Sequence, residues 1–159
     1  MDLELSGKRV LVTGSYRGTG AGMARVLARE GASVWVHGFE RDPAEAVARS
    51  IREEGFEAHA VAGDIRNDDG ARDVAASVGE IDVLVNNYGV AEGGSWESST
   101  EDWIDIYQKN VLSGVRLVHA LVPGMRKRGW GRVVFVSTVG YVRPNSQMPH
   151  YYASKTALI

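Results

Sequence analysis

The sequence predicts an α/β fold: an open, doubly wound parallel sheet with helices on both faces. Three observations carry this. Short apolar runs, such as residues 9–13 (RVLVT), 33–37 (SVWVH) and 132–136 (RVVFV), have the composition of strands covered on both sides. Segments with helical spacing of apolar residues separate them, and this alternation makes successive strands parallel, joined by right-handed crossovers. A glycine-rich segment, residues 13–20, lies between the first strand and the first helix.

The elements follow in order. The strand at 9–13 leads through the glycines to a helix over 21–29. A second strand occupies 33–37. A charged amphipathic helix over 43–54 carries Pro43 near its start, where the missing N–H costs nothing. Residues 58–62 form the third strand, 68–78 a short helix and 81–86 (IDVLVN) the fourth strand. A long helix runs over 100–128, with Ser99 or Thr100 as N-cap. Its apolar stripe is Trp103, Ile106, Tyr107, Val111, Val115, Val118 and Leu121. Pro123 is expected to kink or subdivide it. The cluster Arg126-Lys127-Arg128 suits the negative end of that helix dipole. The fifth strand is 132–136, and a last helix begins near His150. No repeat, linker or low-complexity segment interrupts the pattern.

The 159 residues suit one domain spanning 1–159. Eighteen Lys and Arg against twenty Asp and Glu give a formal net charge of −2, which gives no reason to expect nucleic acid or an anionic membrane as partner. The absence of cysteine excludes disulfides, thiolate metal sites and a Cys nucleophile. The polar N-terminus has no signal-peptide core and no apolar run is long enough to span a bilayer, so a cytoplasmic location is expected. His37, His59, His119 and His150 are scattered, and no metal site is expected. Ser15 lies in Gly14-Ser15-Tyr16-Arg17-Gly18, which does not match the G-x-S-x-G elbow of a hydrolase.

The segment Thr13-Gly14-Ser15-Tyr16-Arg17-Gly18-Thr19-Gly20 has the spacing G-x-x-x-G-x-G. It is not G-x-G-x-x-G, because Met23 takes the last glycine position. Glycines between a strand and a helix permit a tight turn and close approach of backbone to a pyrophosphate, and the helix N-terminus adds free N–H groups and positive dipole. In an open parallel sheet such a turn lies where ligands bind, at the carboxyl ends of the strands.

Further motifs follow in a fixed order. Asp64-Ile65 comes after the third strand, Asn86-Asn87-Tyr88-Gly89 ends the fourth, Asn110 lies in the long helix and Ser137-Thr138 ends the fifth strand. Tyr151-Tyr152-Ala153-Ser154-Lys155 comes later. Together with the glycine-rich turn these resemble the short-chain dehydrogenase/reductase family in its single-domain form, over essentially the whole chain. The resemblance implies a Rossmann-like sheet and an oxidoreductase that interconverts a carbonyl and an alcohol of a small-molecule substrate, similar to 3-oxoacyl-carrier-protein reductases. Tyr151 and Lys155, at i and i+4, share one helix face, and an ammonium near a phenol favours the phenolate. By the resemblance, Tyr151 exchanges a proton with the substrate oxygen. Lys155 assists it and holds the nicotinamide ribose, and Asn110 anchors a water of the proton relay. A strand-end hydroxyl orients the substrate. Counting back from Tyr151 by the family's usual separation arrives at Thr138, whereas the S-x-x-G pattern of Ser137-Thr138-Val139-Gly140 selects Ser137. Ser137 is preferred because the intervening loop can absorb a residue, and Thr138 is the second choice. The implied cofactor contacts are Gly14, Ser15, Arg17, Gly18, Thr19, Gly20, Gly38, Asp64, Ile65, Asn87 and Gly89, with Tyr151 and Lys155.

Two residues depart from the family pattern. Thr19 replaces an apolar residue between the last two glycines. Tyr88 replaces the alanine of N-N-A-G, where it either stacks near the cofactor or is a packing change. NAD-preferring relatives carry an Asp where this chain has Gly38. Arg17 matches the basic position of NADP-preferring relatives, and Arg41 adds a second charge. NADP(H) is therefore expected over NAD(H), with the Glu40 carboxylate as the opposing feature. The resemblance also implies further strands, a substrate-covering segment and homo-oligomers for a full-length chain. Ile159 lies four residues past Lys155, so the sheet is expected to be incomplete at its C-terminal edge and its fifth strand exposed. A fragment is the preferred account, a nucleotide-binding module without turnover and a sheet completed by another chain being the alternatives.

Overall fold

The computed structural model describes residues 3–159. A five-stranded sheet is made of β1 (Arg9–Val12), β2 (Ser33–Gly38), β3 (Ala58–Ala62), β4 (Val83–Asn86) and β5 (Arg132–Phe135), in the spatial order β3-β2-β1-β4-β5. Every neighbouring pair is parallel. The chain moves outward from β1 to β3, then returns to the other side of β1 for β4. The order reverses there, and the carboxyl ends of β1 and β4 flank the crevice where open α/β sheets bind ligands.

The connecting helices are α1 (Gly18–Arg29), α2 (Arg41–Glu53), α3 (Asp68–Val78), α4 (Thr100–Tyr107), α5 (Ser113–Arg128) and α6 (Pro149–Thr156). Alternate strand residues face opposite ways, which divides the core into two. Val10, Val12, Val34 and Val36 pack on one face against Ala24 and Ala28 of α1 and Ala44, Ala48 and Ile51 of α2. On the other face, Leu11 and Leu84 pack against Ala71, Val74 and Val78 of α3 and Leu117, Leu121 and Met125 of α5. The alanines recur at i and i+4 on α1 and α2, so small residues line the faces of these helices that meet the sheet.

Cap chemistry sets several boundaries. Asn67 caps α3 by accepting from the Gly70 N–H at 2.9 Å. Of the two candidates for α4, Ser99 is the cap: its Oγ accepts from the Asp102 N–H, and the Asp102 carboxylate accepts from the Ser99 N–H. Helix α1 begins at Gly18 instead of Ala21, which brings Gly18 and Gly20 into its first turn.

The long helix expected over 100–128 differs in where it is interrupted. Pro123 sits within α5 without dividing it, and Leu121 and Met125 on either side both remain in the core. The break is a π-helical turn at Gln108–Leu112 between α4 and α5. The Ser113 hydroxyl donates to the Lys109 carbonyl at 2.6 Å within this wider turn, and Asn110 is fully buried there. Such turns concentrate at functional sites. Strand β5 departs from the rule of two covered faces. It lies at the edge, and Val133 and Val134 are 36% and 46% exposed. Among the described residues no helix is long and apolar enough to cross a membrane.

Candidate active site

The glycine-rich turn is clamped from both sides. Toward β4, the Thr13 hydroxyl donates to Asn86 Oδ1 at 3.2 Å and accepts from the Tyr88 N–H at 2.9 Å. Asn87 Nδ2 donates to the Thr13 and Gly14 carbonyls at 2.9 and 3.3 Å. Toward β2, the Ser15 N–H donates to the His37 carbonyl, the His37 N–H to Ser15 Oγ, and the Gly14 N–H to His37 Nδ1 at 3.1 Å. Ser15 Oγ also donates to the Val12 carbonyl at 2.7 Å. Ser15, expected as a cofactor contact, is thus fully buried with its hydroxyl committed to the turn itself.

The glycines are there for different reasons. Gly14 and Gly18 have φ of +61° and +57°, where a side chain is strained. Gly20 is a matter of space: a Cβ there would lie 2.6 Å from the Gly14 carbonyl oxygen and from Asn87 Nδ2. No side chain caps α1 after Arg17, so its first N–H groups and positive dipole end face the turn.

The neighbouring crevice wall is built by the loops after β2, β3 and β4. Gly38 is buried, and a Cβ on it would meet Tyr16 Cβ at 3.2 Å. Ile65 is fully buried and its side chain belongs to the core. Asp64 accepts from Arg66 at Nε (2.8 Å), Nη2 (2.9 Å) and the backbone N–H (2.9 Å). That pairing, led by the side-chain bond, holds its carboxyl below the usual range. The Asp64 carboxylate, an expected cofactor contact, is thus already paired with Arg66, which also lies 4.8 Å above the Phe39 ring. Tyr88 packs edge-on against Phe39 at 5.0 Å and is 7% exposed. Between the two readings of Tyr88, packing fits, and burial raises its phenol pKa. Arg17 is exposed and lies over the Tyr16 ring, and Arg41 is exposed at the start of α2.

The second cluster gathers around α6. Lys155 is 5% exposed, its Nζ donates to the Val136 carbonyl at 2.9 Å, and burial lowers its pKa. A Cβ on Gly89 would lie 2.7 Å from Lys155 Nζ and 3.1 Å from Asn110 Oδ1, so the ammonium is lodged against the loop after β4. Asn110 Oδ1 accepts from the Val90 N–H at 2.7 Å. Its Nδ2 donates to the Val90 carbonyl at 3.0 Å and to Ser154 Oγ at 2.9 Å. The Asn110 side chain is therefore a clamp between that loop and α6. Tyr151 lies one helical turn before Lys155, half-buried, with its ring 5.2 Å from that of Tyr152.

The two strand-end hydroxyls have different tasks. Ser137 Oγ donates to the Lys155 carbonyl at 2.7 Å, which ties the end of β5 to α6 and commits its proton. Thr138 Oγ1 accepts from the Gly140 N–H at 3.2 Å. The Ser137 hydroxyl is thus a donor within the fold, whereas the Thr138 hydroxyl accepts.

Sequence reasoning missed His37 as part of these clusters, and gave Thr13 and Ser154, quoted within the motifs, no contact of their own. Only His37 had a usable signal, a polar residue inside an apolar strand beside the glycine that opens the β2 loop.

Two clusters therefore sit at the strand carboxyl ends, one built around a glycine-rich turn and one around a Tyr-x-x-x-Lys helix. The sequence pattern of short-chain dehydrogenases matches residues 8–159. The chain belongs to the short-chain dehydrogenase family. It is 33% identical over 98% of its length to the oxidoreductase YvaG of Bacillus subtilis, covering 60% of that protein. It is 34% identical to the 7alpha-hydroxysteroid dehydrogenase of Clostridium sardiniense, covering 97% of this chain and 62% of the relative. The chain thus spans about three-fifths of the length of these curated relatives. Among solved structures, L-sorbose reductase from Gluconobacter frateurii, complexed with NADPH and L-sorbose, superposes with a TM-score of 0.94 at 35% identity. That match covers 99% of this chain and 62% of the reductase. A 7α-hydroxysteroid dehydrogenase complexed with NADH superposes with a TM-score of 0.91 at 30% identity, over 99% of this chain and 63% of that one. The Rossmann-like sheet is common to these short-chain dehydrogenases, whereas their nicotinamide cofactors differ.

Proposed function

We propose that this short-chain dehydrogenase chain forms a single NAD(P)-binding domain of an NADP(H)-dependent oxidoreductase that interconverts a carbonyl and an alcohol, in the manner of 3-oxoacyl-carrier-protein reductases. The observation that carries the proposal is Lys155. A buried ammonium, lodged against Gly89 one helical turn after Tyr151, is costly for a fold to keep unless it serves a site.

The crevice fits a dinucleotide on its own terms. The uncapped α1 N-terminus suits a pyrophosphate, and Gly20, where a Cβ would not fit, lets that N-terminus close against the turn. The contacts fall to the turn at Gly14, through its close approach, to the backbone of Arg17–Gly20, to Gly38, to the Asp64-Ile65 loop with Arg66, and to Asn87 and Gly89. When bound, the nicotinamide supplies or accepts the hydride. The remaining chemistry belongs to the chain. Tyr151 exchanges a proton with the substrate oxygen, and Thr138 donates a hydrogen bond to that same oxygen. Lys155 stabilises negative charge as it develops on the Tyr151 oxygen and binds the nicotinamide ribose. Asn110 holds the loop that carries Gly89, and the π-helical turn around it is the favoured place for a relay water.

Selectivity for NADP(H) rests on two exposed arginines, Arg17 before α1 and Arg41 at the start of α2, and on Gly38, which offers no carboxylate to repel a 2′-phosphate. Parallel titrations with NADPH and NADH test this; binding of NADH at least as tight as NADPH overturns it. Turnover of a carbonyl panel with NADPH, abolished by Tyr151→Phe with cofactor binding retained, tests the catalytic assignment.

A further inference from the structure

His37 belongs to none of the family motifs, yet it makes more connections to the phosphate turn than any residue of those motifs outside the turn itself. Its backbone exchanges hydrogen bonds with Ser15, the His37 N–H to Ser15 Oγ at 2.9 Å and the Ser15 N–H to the His37 carbonyl at 2.9 Å. Its ring extends the same link in both directions. Nδ1 accepts from the Gly14 N–H at 3.1 Å, and Nε2 lies 3.1 Å from the Gly63 carbonyl. Because Gly14 donates to Nδ1, the proton of the neutral ring must be on Nε2, where it is donated to Gly63. The imidazole is fully buried, and Phe39 meets it edge-on at 6.0 Å. It therefore bridges three strand ends: the turn after β1, the end of β2 and the start of the loop after β3.

Resting on the dinucleotide reading above, we propose that His37 is a positioning residue for the cofactor pyrophosphate: its neutral imidazole fixes the orientation of the Gly14 peptide, and with it the N–H groups that open α1. The anchoring is directional. A ring that accepts at Nδ1 holds the Gly14 N–H away from the crevice and leaves the later amides of the turn to face it. Gly14 has a positive φ, so loss of the ring removes an anchor where the backbone has the freedom of glycine. A protonated ring carries hydrogen on both nitrogens and has no acceptor to offer Gly14. The fold keeps the ring neutral: burial lowers the His37 pKa to about 4, against smaller opposing contributions from the bond to Gly63 and the Asp64 carboxylate. The groups facing the imidazole are the Gly14-Ser15 backbone of the turn, Phe39 on its own loop and Gly63 after β3; Asp64 is the charged neighbour, itself paired with Arg66.

The test compares three proteins by calorimetric titration with NADP⁺ and NAD⁺ at neutral pH. His37→Leu removes the acceptor and keeps the bulk; His37→Asn restores an acceptor oxygen near the Nδ1 position and does not titrate. The expected result is a loss of about tenfold in affinity for both dinucleotides in the Leu variant, the equivalent of about 1.4 kcal/mol, with recovery to near the parent value in the Asn variant. Equal affinity of the folded Leu variant and the parent overturns the proposal, as does an Asn variant no better than the Leu variant. If the parent binds neither dinucleotide, the cofactor reading itself fails, a separate outcome. A measurement on the unaltered protein covers variants that do not fold. The Gly14 amide resonance should shift together with the His37 ring signals as pH falls toward 4. A Gly14 amide that stays fixed while the ring titrates overturns the proposal.

Discussion

Substituting Gly20 and Gly22 by alanine separates the two uses of glycine in α1. Both lie in the same helix, two residues apart, and both gain helix propensity, worth up to about 1 kcal/mol at an interior position. Gly22 is exposed and a Cβ there meets nothing within 4 Å. Gly22→Ala should therefore raise the unfolding temperature by about 2–4 °C in a chain of this size and leave cofactor binding unchanged. At Gly20 the new Cβ would meet the Gly14 carbonyl oxygen at 2.6 Å and Ser15 Cα at 2.8 Å, backbone atoms of the turn that no rotamer change can move aside. Relief needs a shift of the turn by several tenths of an ångström, and overpacking of this kind costs about 1–3 kcal/mol. Gly20→Ala should thus lower the unfolding temperature by a few degrees. Because the displaced atoms belong to the phosphate turn, NADP(H) affinity should fall by about tenfold to a hundredfold, about 1.4–2.8 kcal/mol. Thermal unfolding with and without cofactor, together with calorimetric titration of both variants, measures the difference. A Gly20→Ala protein that binds cofactor like the Gly22→Ala control refutes the argument.

Four further outcomes are expected. Gly89→Ala places a Cβ 2.7 Å from Lys155 Nζ and 3.1 Å from Asn110 Oδ1, so kcat should fall about a hundredfold from ammonium displacement, with a smaller loss in unfolding temperature. Thr138→Val should lower kcat with little loss of stability, whereas Ser137→Ala, which frees the Lys155 carbonyl, should chiefly lower the unfolding temperature; the reverse pattern returns the orienting role to Ser137. Tyr151→Phe should abolish turnover in the carbonyl-panel assay and leave the calorimetric affinity for NADPH intact. For pH, the unfolded chain binds a proton at His37 below about 6.5 while the folded protein resists until about 4, so this contribution to stability is whole above pH 6.5 and declines as pH falls toward 4. It amounts to at most about 3 kcal/mol, read as the difference between parent and His37→Asn in denaturant unfolding across that range.

Much of the fold was legible because its signals are local. Apolar runs of four or five residues, the helical periods between them and the S-x-x-D box at Ser99 each act within one or two turns of chain. The π-helical turn at Gln108–Leu112 was not legible, because nothing in those five residues breaks helical spacing, whereas Pro123 looks like a breaker and is absorbed. The site divides the same way. Gly14, Gly18, Gly20 and Lys155 stand out by residue type and spacing. The partners of the others show only in the fold: Arg66, two residues along, on Asp64, and the more distant Phe39 on Tyr88 and Lys155 carbonyl on Ser137. A hydroxyl at a strand end has no direction in a sequence. Ser137 and Thr138 differ only in the folded chain, where one hydroxyl donates to α6 and the other accepts from Gly140.

The two halves of the site are joined by the five residues that follow the interior of β4. Asn86 and Asn87 hold the glycine-rich turn with their side chains, and Tyr88 holds Thr13 with its backbone N–H. The next two residues face the other cluster: Gly89 lies against Lys155, and Val90 is gripped at both N–H and carbonyl by Asn110. The reversal of strand order explains the economy. β4 lies between β1, which leads into the glycine-rich turn, and β5, which leads to the Tyr-Lys helix, so the residues leaving it meet both crevice walls within five positions. Small and amide side chains suit that passage, because a glycine admits the lysine and an asparagine can grip a backbone carbonyl and N–H at once. Asn110 completes the connection from inside a wider helical turn, holding Val90 on one side and Ser154 on the other. The distance between phosphate turn and lysine is thereby set by side-chain hydrogen bonds, not by loop length. A shift of the β4 exit would move both halves of the site together.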